Sequence, residues 1–473
     1  MPRRPNPTSL ERGNGRRPLL EQGAGLSERL TNEAVVERAI GSLRRQGALA
    51  EVFLRESAST SVEVKDAAIE NVLVHGERGI GIRVIDSQRM GFAFTSDLSI
   101  SGIEECVGGA QAMSAVTEAD PDLRIASGAT DQAELAIHEG IGERTVEERA
   151  EAAFAAERAA RAVDRRVIGF RKTSFFDGET TTILATTSGT HGSYSESWSG
   201  LSTSVIASEG EERQIGYHGH ASRKRAEIDA ESIGRFAAAV AIGKLGAVSF
   251  ATQRLPIVLE PHEAMSLLGA ISPLFSAENV LKGKSLFAGK VGQAVASPKV
   301  TIVDDARRPG GLRSAPFDGE GTTTRRQTLV SGGELRGYLT SLKTATKVGA
   351  EPTGNARRGS YSGPSRIGPS NLYVEAGTED ATAMVHGLDR ALRITSLLNL
   401  HTIDPISGEF SLGAAGDYLE RGERKYAVQG ITIAGNLLGL LTAISGVGSD
   451  LTFGGGGIGS PTLVISELSV GGT

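Results

Sequence analysis

Apolar residues recur at helical spacing over residues 34–46, at Val35, Ala39, Ile40 and Leu43, and then the period changes. Residues 51–55, 61–65, 72–75, 79–85 and 91–94 alternate apolar and polar positions, as strands do. Turn-like residues at 76–78 and 86–88 separate them, so the pattern predicts five short strands in an antiparallel meander. A helix follows, with Ser96 or Asp97 as its cap and Glu104 and Glu105 inside it. Residues 118–144 read as loop. Thr145, followed by Glu147 and Glu148, opens a strong helix over 145–163. Strand-like stretches return at 167–174, 180–187, 203–208 and 214–221, and a helix capped by Asp229 spans 228–245. Both parts of this half read helix, strands, helix, which predicts a curved sheet backed by helices.

The second half opens with a strand over 255–259 and a helix that has Pro261 at its first position. Met265, Leu267, Leu268 and Ile271 give that helix an apolar face, and Pro273 stops it. A strand is expected at 300–304, turns at 318–321 and 332–334, a helix at 388–398, and strands at 409–412, 418–420, 426–433 and 463–468. Residues 354–370 are too polar for a core and too long for a simple turn, which marks them as a candidate functional segment. The fold class is therefore α+β. Its parts are a disordered basic tail over 1–30, an α+β domain over 31–248 and a β-rich domain over 249–473.

Composition changes this picture only at the edges. A chain of 473 residues with 61 glycines and 5% aromatics suits many short strands and turns. The net charge of −6 gives no support to nucleic-acid binding. The first 17 residues depart from the rest, with Arg3, Arg4, Arg12, Arg16 and Arg17 against Glu11 alone, and they are read as tail or as a basic contact arm. They hold no signal-peptide core, and no segment has the uninterrupted apolar length of a membrane span, so a cytoplasmic protein with no membrane partner is expected. Cys106 is the single cysteine, which excludes an intrachain disulfide and leaves a small buried apolar group as its expected role.

Three motifs carry candidate chemistry. His218 and His220 share one face of a strand, a spacing open to a metal, but no third ligand can be assigned. His262-Glu263 resembles the start of a helical zinc-protease motif, and the second histidine is missing. Gly454, Gly455, Gly456 and Gly457 form a run without Cβ atoms. It reads as a flexible turn or as a surface where an extended peptide approaches backbone.

Several blocks resemble the TldD/PmbA family, whose members are also called modulators of DNA gyrase. They include SVEVKD at 61–66, ERGIGIRV at 77–84, GFAFTSDL at 91–98, GKSLFAGKVG at 283–292, PTGNARRGSY at 352–361, DPISGEFS at 404–411 and GITIAGNL at 430–437. Shorter matches at 303–305, 371–374, 446–451 and 459–463 keep the same order. The resemblance implies a metallopeptidase in which a helical His-Glu-x-x-x-His motif and a later cysteine hold zinc. Counting back from 283–292 places that motif on Leu268 to Pro273, with Gly269 at the glutamate, and no cysteine follows Cys106.

The chain is thus similar to the TldE/PmbA-type subunit. The resemblance implies no catalytic residue and no metal in this chain, with zinc in a TldD-like partner. It also implies a cytoplasmic pair that degrades or trims unfolded peptides. A stand-alone peptide-binding homodimer is the other reading. Arg357 and Arg358, together with Gly454, Gly455, Gly456 and Gly457, are the expected contacts to substrate or partner, the arginines by pairing with a carboxylate.

Overall fold

The computed structural model describes residues 30–131 and 133–472. The expected basic tail lies outside them, apart from Leu30. The first half holds one six-stranded antiparallel sheet in the order β3-β2-β1-β4-β5-β6. Its strands are β1 (Leu49–Lys65), β2 (Ala68–Asp86), β3 (Arg89–Thr95), β4 (Val167–Thr186), β5 (His191–Glu209) and β6 (Glu212–Ser222). Two three-stranded meanders are therefore joined edge to edge where β1 pairs with β4.

The five short strands expected between residues 51 and 94 are three long ones. The expected turn at 76–78 is extended, because Gly76, Glu77 and Arg78 pair with Ala58, Ser57 and Glu56 across the β1–β2 ladder. The stretches 167–174 and 180–187 likewise merge into β4.

Four helices back this sheet: α1 (Asn32–Arg45), α2 (Ile100–Val116), α3 (Val146–Arg161) and α4 (Ala230–Gly243). Thr145 and Glu148 form a full capping box on α3, and Asp229 caps α4 through the Ser232 amide. The cap of α2 is Ser99, whose hydroxyl accepts from Gly102 N, while Asp97 instead accepts from Ser99 N. Alternation along β1 decides which side faces what. Ala50, Val52, Leu54, Val62 and Val64 pack under the helices. Glu51, Phe53 and Arg55 point to the opposite face, where the second half lies.

The second half begins with β7 (Gln253–Leu259) and α5 (Pro261–Ile271). Its larger sheet runs in the order 423–436, 409–420, 390–398, 253–259, 463–471 and 444–447, and the first of these also pairs with 463–471, closing the sheet on itself. A second six-stranded sheet is built from shorter pieces at 334–335, 326–331, 302–305, 372–374, 458–460 and 452–453. Leu267, Leu268 and Ile271 of α5 enter the large apolar core between these sheets. Pro273 does not end the helical path at once, since residues 272–275 continue as a 3-10 turn.

The expected helix at 388–398 is a strand, Arg390–Leu398, parallel to β7 and antiparallel to 409–420. The α+β class holds across the chain. Among the described residues no strand ladder links the first sheet to the later ones, and Val248, in the connection between the halves, forms a bridge with Val428.

Candidate functional site

The segment expected to be too polar for a core is buried at its two ends, at 354–356, 358 and 370, and half-buried to exposed between them. Asn355 is buried and donates through Nδ2 to Asp304 Oδ2 at 2.8 Å, and Asp304 also accepts from Ser370 N at 2.7 Å. Asp318 anchors the same segment to the preceding turn. Its Oδ1 accepts from Glu320 N (2.9 Å) and Thr322 N (3.0 Å), and its Oδ2 accepts from Ala356 N (2.9 Å). Polarity here serves internal hydrogen bonding, as buried polar groups require.

This ordered segment delivers Arg358 to the first sheet. Arg358 Nη2 pairs with Glu51 Oε1 at 2.5 Å, and Arg83 Nη2 pairs with Glu51 Oε2 at 2.8 Å. The Arg358 guanidinium also lies over the Phe53 ring, 4.6 Å from its centroid. The expected pairing of Arg358 with a substrate carboxylate is therefore replaced by pairing with an internal one. Arg357, one position along, has different partners. Its Nη2 donates to Arg313 O at 3.1 Å, and no ion pair engages it among the described residues.

A cavity of about 480 Å3 lies between the sheet face of β1, β4, β5 and β6 and the loops at 312–319 and 357–359. Arg357, Arg358 and Gly455 line it together, although almost 100 residues separate the arginines from the glycine. Gly454 and Gly457 border a neighbouring depression beside His220 and Arg308. Gly456 lines neither, and its carbonyl accepts from Arg313 Nε at 3.3 Å. Of the four glycines only Gly457 has a positive φ, +78°, and a Cβ there would meet Arg313 Cγ at 2.4 Å. A Cβ at Gly455 would reach only Ala221, at 3.4 Å.

Sequence reasoning missed the rest of this wall. Arg223 is fully engaged by Glu196 and by the carbonyls of Ser197, Gly311 and Leu312. Glu51 was legible only as an alternating position of a strand. A charged residue on the face opposite the helices was the one available signal.

The candidate metal motifs do not assemble. His218 on β6 stacks against Phe236 with ring centroids 4.3 Å apart. Burial pushes His218 down to about 4, and the nearby His262 and His220 add to the shift. His262 stands at the exposed start of α5, where Nδ1 lies 3.2 Å from Glu263 Oε1. Glu263 is buried and accepts from Leu397 N at 3.0 Å. Leu268, at the expected first zinc-ligand position, is buried in the apolar core. The Cys106 thiol is buried in α2, and burial pushes it up to about 11. Among the described residues no group of three His, Cys, Asp or Glu side chains is placed to hold a metal ion. A catalytic zinc needs three protein ligands and an open position, and this donor set does not fit one.

Three family models match the chain: the PmbA/TldA metallopeptidase domain 1 at residues 50–114, the central domain at 139–245 and the C-terminal domain at 252–472. The first two fall on the two meanders of the single N-terminal sheet. The Metalloprotease PmbA of Escherichia coli O157:H7 is 27% identical over 406 residues, covering 85% of this chain and 88% of that protein. The Metalloprotease TldD homolog of Haemophilus influenzae is 27% identical over 452 residues, covering 90% and 93%.

Among solved structures, a Thermotoga maritima protein described as a modulator of a DNA gyrase aligns with a TM-score of 0.85 at 28% identity, over 93% of this chain and 100% of that one. TldE from Thermococcus kodakarensis shares the fold, with a TM-score of 0.85 at 22% identity over 92% and 100%. With three consecutive domain models matched and relatives aligned along nearly their whole length, this chain belongs to the PmbA/TldD metallopeptidase family.

Proposed function

We propose that this chain is the non-zinc-binding subunit of a heteromeric, cytoplasmic metallopeptidase that degrades or trims unfolded peptides, with the zinc held by a TldD-like partner. One observation carries the reading: α5 turns Leu267, Leu268 and Ile271 into the core and offers no second histidine beside His262 and Glu263. A family named for metal-dependent proteolysis then has here a member whose described residues bring no donor set together. Its contribution is then to hold peptide and complete the chamber around the partner's metal. Extended peptide of varied sequence is gripped through its backbone, and open backbone beside the cavity suits that task.

Metal analysis of the purified, dialysed chain is expected to find no stoichiometric zinc. One tightly held zinc per chain overturns the assignment. Co-expression with a relative bearing the complete motif is expected to give a mixed complex by native mass measurement. Only separate species would sink the subunit role.

The cavity is the proposed contact to substrate. Gly455→Val places a side chain on its wall against Ala221 without a backbone clash, and Arg357→Ala removes a cation that forms no ion pair among the described residues. In the mixed complex each variant is expected to assemble normally and to lower peptide cleavage at least about tenfold, a barrier increase of roughly 1.4 kcal/mol. Unchanged cleavage in both removes the cavity from the mechanism.

A further inference from the structure

Four arginines beside Arg358 line the cavity, and two of them are already neutralised. Arg55 Nε lies 3.2 Å from Glu77 Oε1, and Arg223 is held by Glu196 at 2.8 Å. Arg313 and Arg357 differ. Arg313 Nε donates to Gly456 O and Arg357 Nη2 donates to Arg313 O, so both are oriented by backbone carbonyls. Neither forms an ion pair among the described residues. The two guanidiniums are close enough to repel each other and share no ion-paired carboxylate among the described residues, and an anion placed between them removes that repulsion.

A second observation points the same way. Arg358 has a side chain only 1% exposed, and its Nε and Nη1 have no hydrogen-bond partner among the described residues. Buried N–H groups of a cation are rarely left unpaired in a finished structure. Arg358 itself is among the residues that line the cavity. Asp318, also on the wall, is held by three backbone amides and accepts no hydrogen bond from Arg358 Nε or Nη1.

The lining is also aromatic. Phe53, Phe176, Tyr194, Trp198 and Phe317 contribute to the lining, and Tyr194 meets Phe317 edge to face at 5.1 Å. A volume of about 480 Å3 falls within the range of small-ligand sites, roughly 300–1,000 Å3. A cationic fork beside an aromatic wall selects a ligand with an anionic end and an apolar body. A lone inorganic anion would leave the aromatic surface unused.

We propose that this cavity is a terminal-carboxylate pocket: Arg357 and Arg313 take the free C-terminal carboxylate of a peptide, and the aromatic wall takes its apolar last side chain. The proposal rests on the peptide-handling reading above and adds the part of the substrate that is recognised. Planar guanidinium groups suit a carboxylate because two parallel N–H donors match its two oxygens.

The test is calorimetric titration of the full chain with three acetylated peptides. One ends in phenylalanine as the free acid, the second is the same peptide as its amide, and the third is an amide carrying glutamate before the phenylalanine. The free acid is expected to bind at least about tenfold more tightly than either amide. Arg357→Gln and Arg313→Gln are each expected to abolish that preference while leaving amide binding and Tm unchanged, and Arg357→Lys to restore part of it.

Equal binding of acid and amide overturns the pocket and leaves the subunit role standing. Equal binding of the glutamate amide overturns recognition of the terminus. Binding of none of the peptides also overturns the pocket, whether or not the chain still assembles with a zinc-bearing subunit. A preference that survives both glutamine variants removes these arginines from it.

Discussion

Glu51→Ala is expected to destabilise the fold by about 3–5 kcal/mol, the usual cost of removing one partner from a buried ion pair. Glu51 is fully buried on β1, and its two oxygens receive Arg83 from β2 and Arg358 from the second half. The side chains of both arginines are nearly inaccessible, at 6% and 1% exposure. Alanine leaves two guanidiniums in a space that water does not reach. Glu51→Gln keeps the shape and one acceptor oxygen, so its cost is expected to be smaller.

The pH dependence has a definite sign. Burial raises the Glu51 carboxyl, and Arg83 and Arg358 more than reverse this, leaving it below the usual carboxylate range. The contribution of Glu51 is therefore present above the unfolded value of about 4.3 and is lost as pH falls through the lower folded value. Urea midpoints at pH 7 are expected to separate wild type from Glu51→Ala widely, and the gap is expected to shrink in acid. An unchanged midpoint at pH 7 would falsify the role given to this triad.

Because Arg358 belongs to that triad, it tests the fold and Arg357 tests the site. From sequence the two arginines are equivalent neighbours. What distinguishes them is a carboxylate 307 positions away, which no local pattern announces. The same limit explains the other misses. Residues 390–398 lost their period because both faces are covered: Ala391 packs into one cluster while Leu392 and Ile394 pack into another. A strand buried on both sides cannot be told from a helix by periodicity alone.

Gly79 and Gly81 fall in the strand expected at 79–85 and lie within β2, where Tyr361 approaches so closely that a Cβ on either would come within 2.4 Å of it. Capping, by contrast, is local chemistry. Thr145 with Glu148, and Asp229, were legible for that reason. The cavity stands between these cases. Arg357 and Gly455 could be singled out by residue type, but Arg313 and the aromatic wall appear only once strand alternation turns Phe53 and Arg55 toward the second half.

Asp318→Ala is expected to have an effect as large as that at Glu51, for a different reason. Its carboxylate accepts three backbone N–H groups, from Glu320, Thr322 and Ala356. Each orphaned buried donor costs about 1–3 kcal/mol. Loss of the Ala356 bond also frees the segment that carries Arg357 and Arg358, so stability and the cavity are expected to fail together. Asp318→Asn keeps Oδ1 for Glu320 and Thr322 and loses the acceptor for Ala356, so it is expected to cost about one bond instead of three.

Its cost is also expected to depend on pH. Burial and the neighbouring Glu320 push Asp318 up to about 7, against the pull of its three N–H donors. The folded chain then retains a proton there between the unfolded value of about 3.9 and about 7, where the unfolded chain has released it. Stability from this group falls as pH rises through that window. Asparagine cannot ionise and lacks this slope. Denaturation of wild type and Asp318→Asn at pH 5 and pH 8 is therefore expected to show the larger penalty at pH 5, and equal penalties at both would mean that Asp318 is already ionised throughout, with its three amides outweighing burial and Glu320.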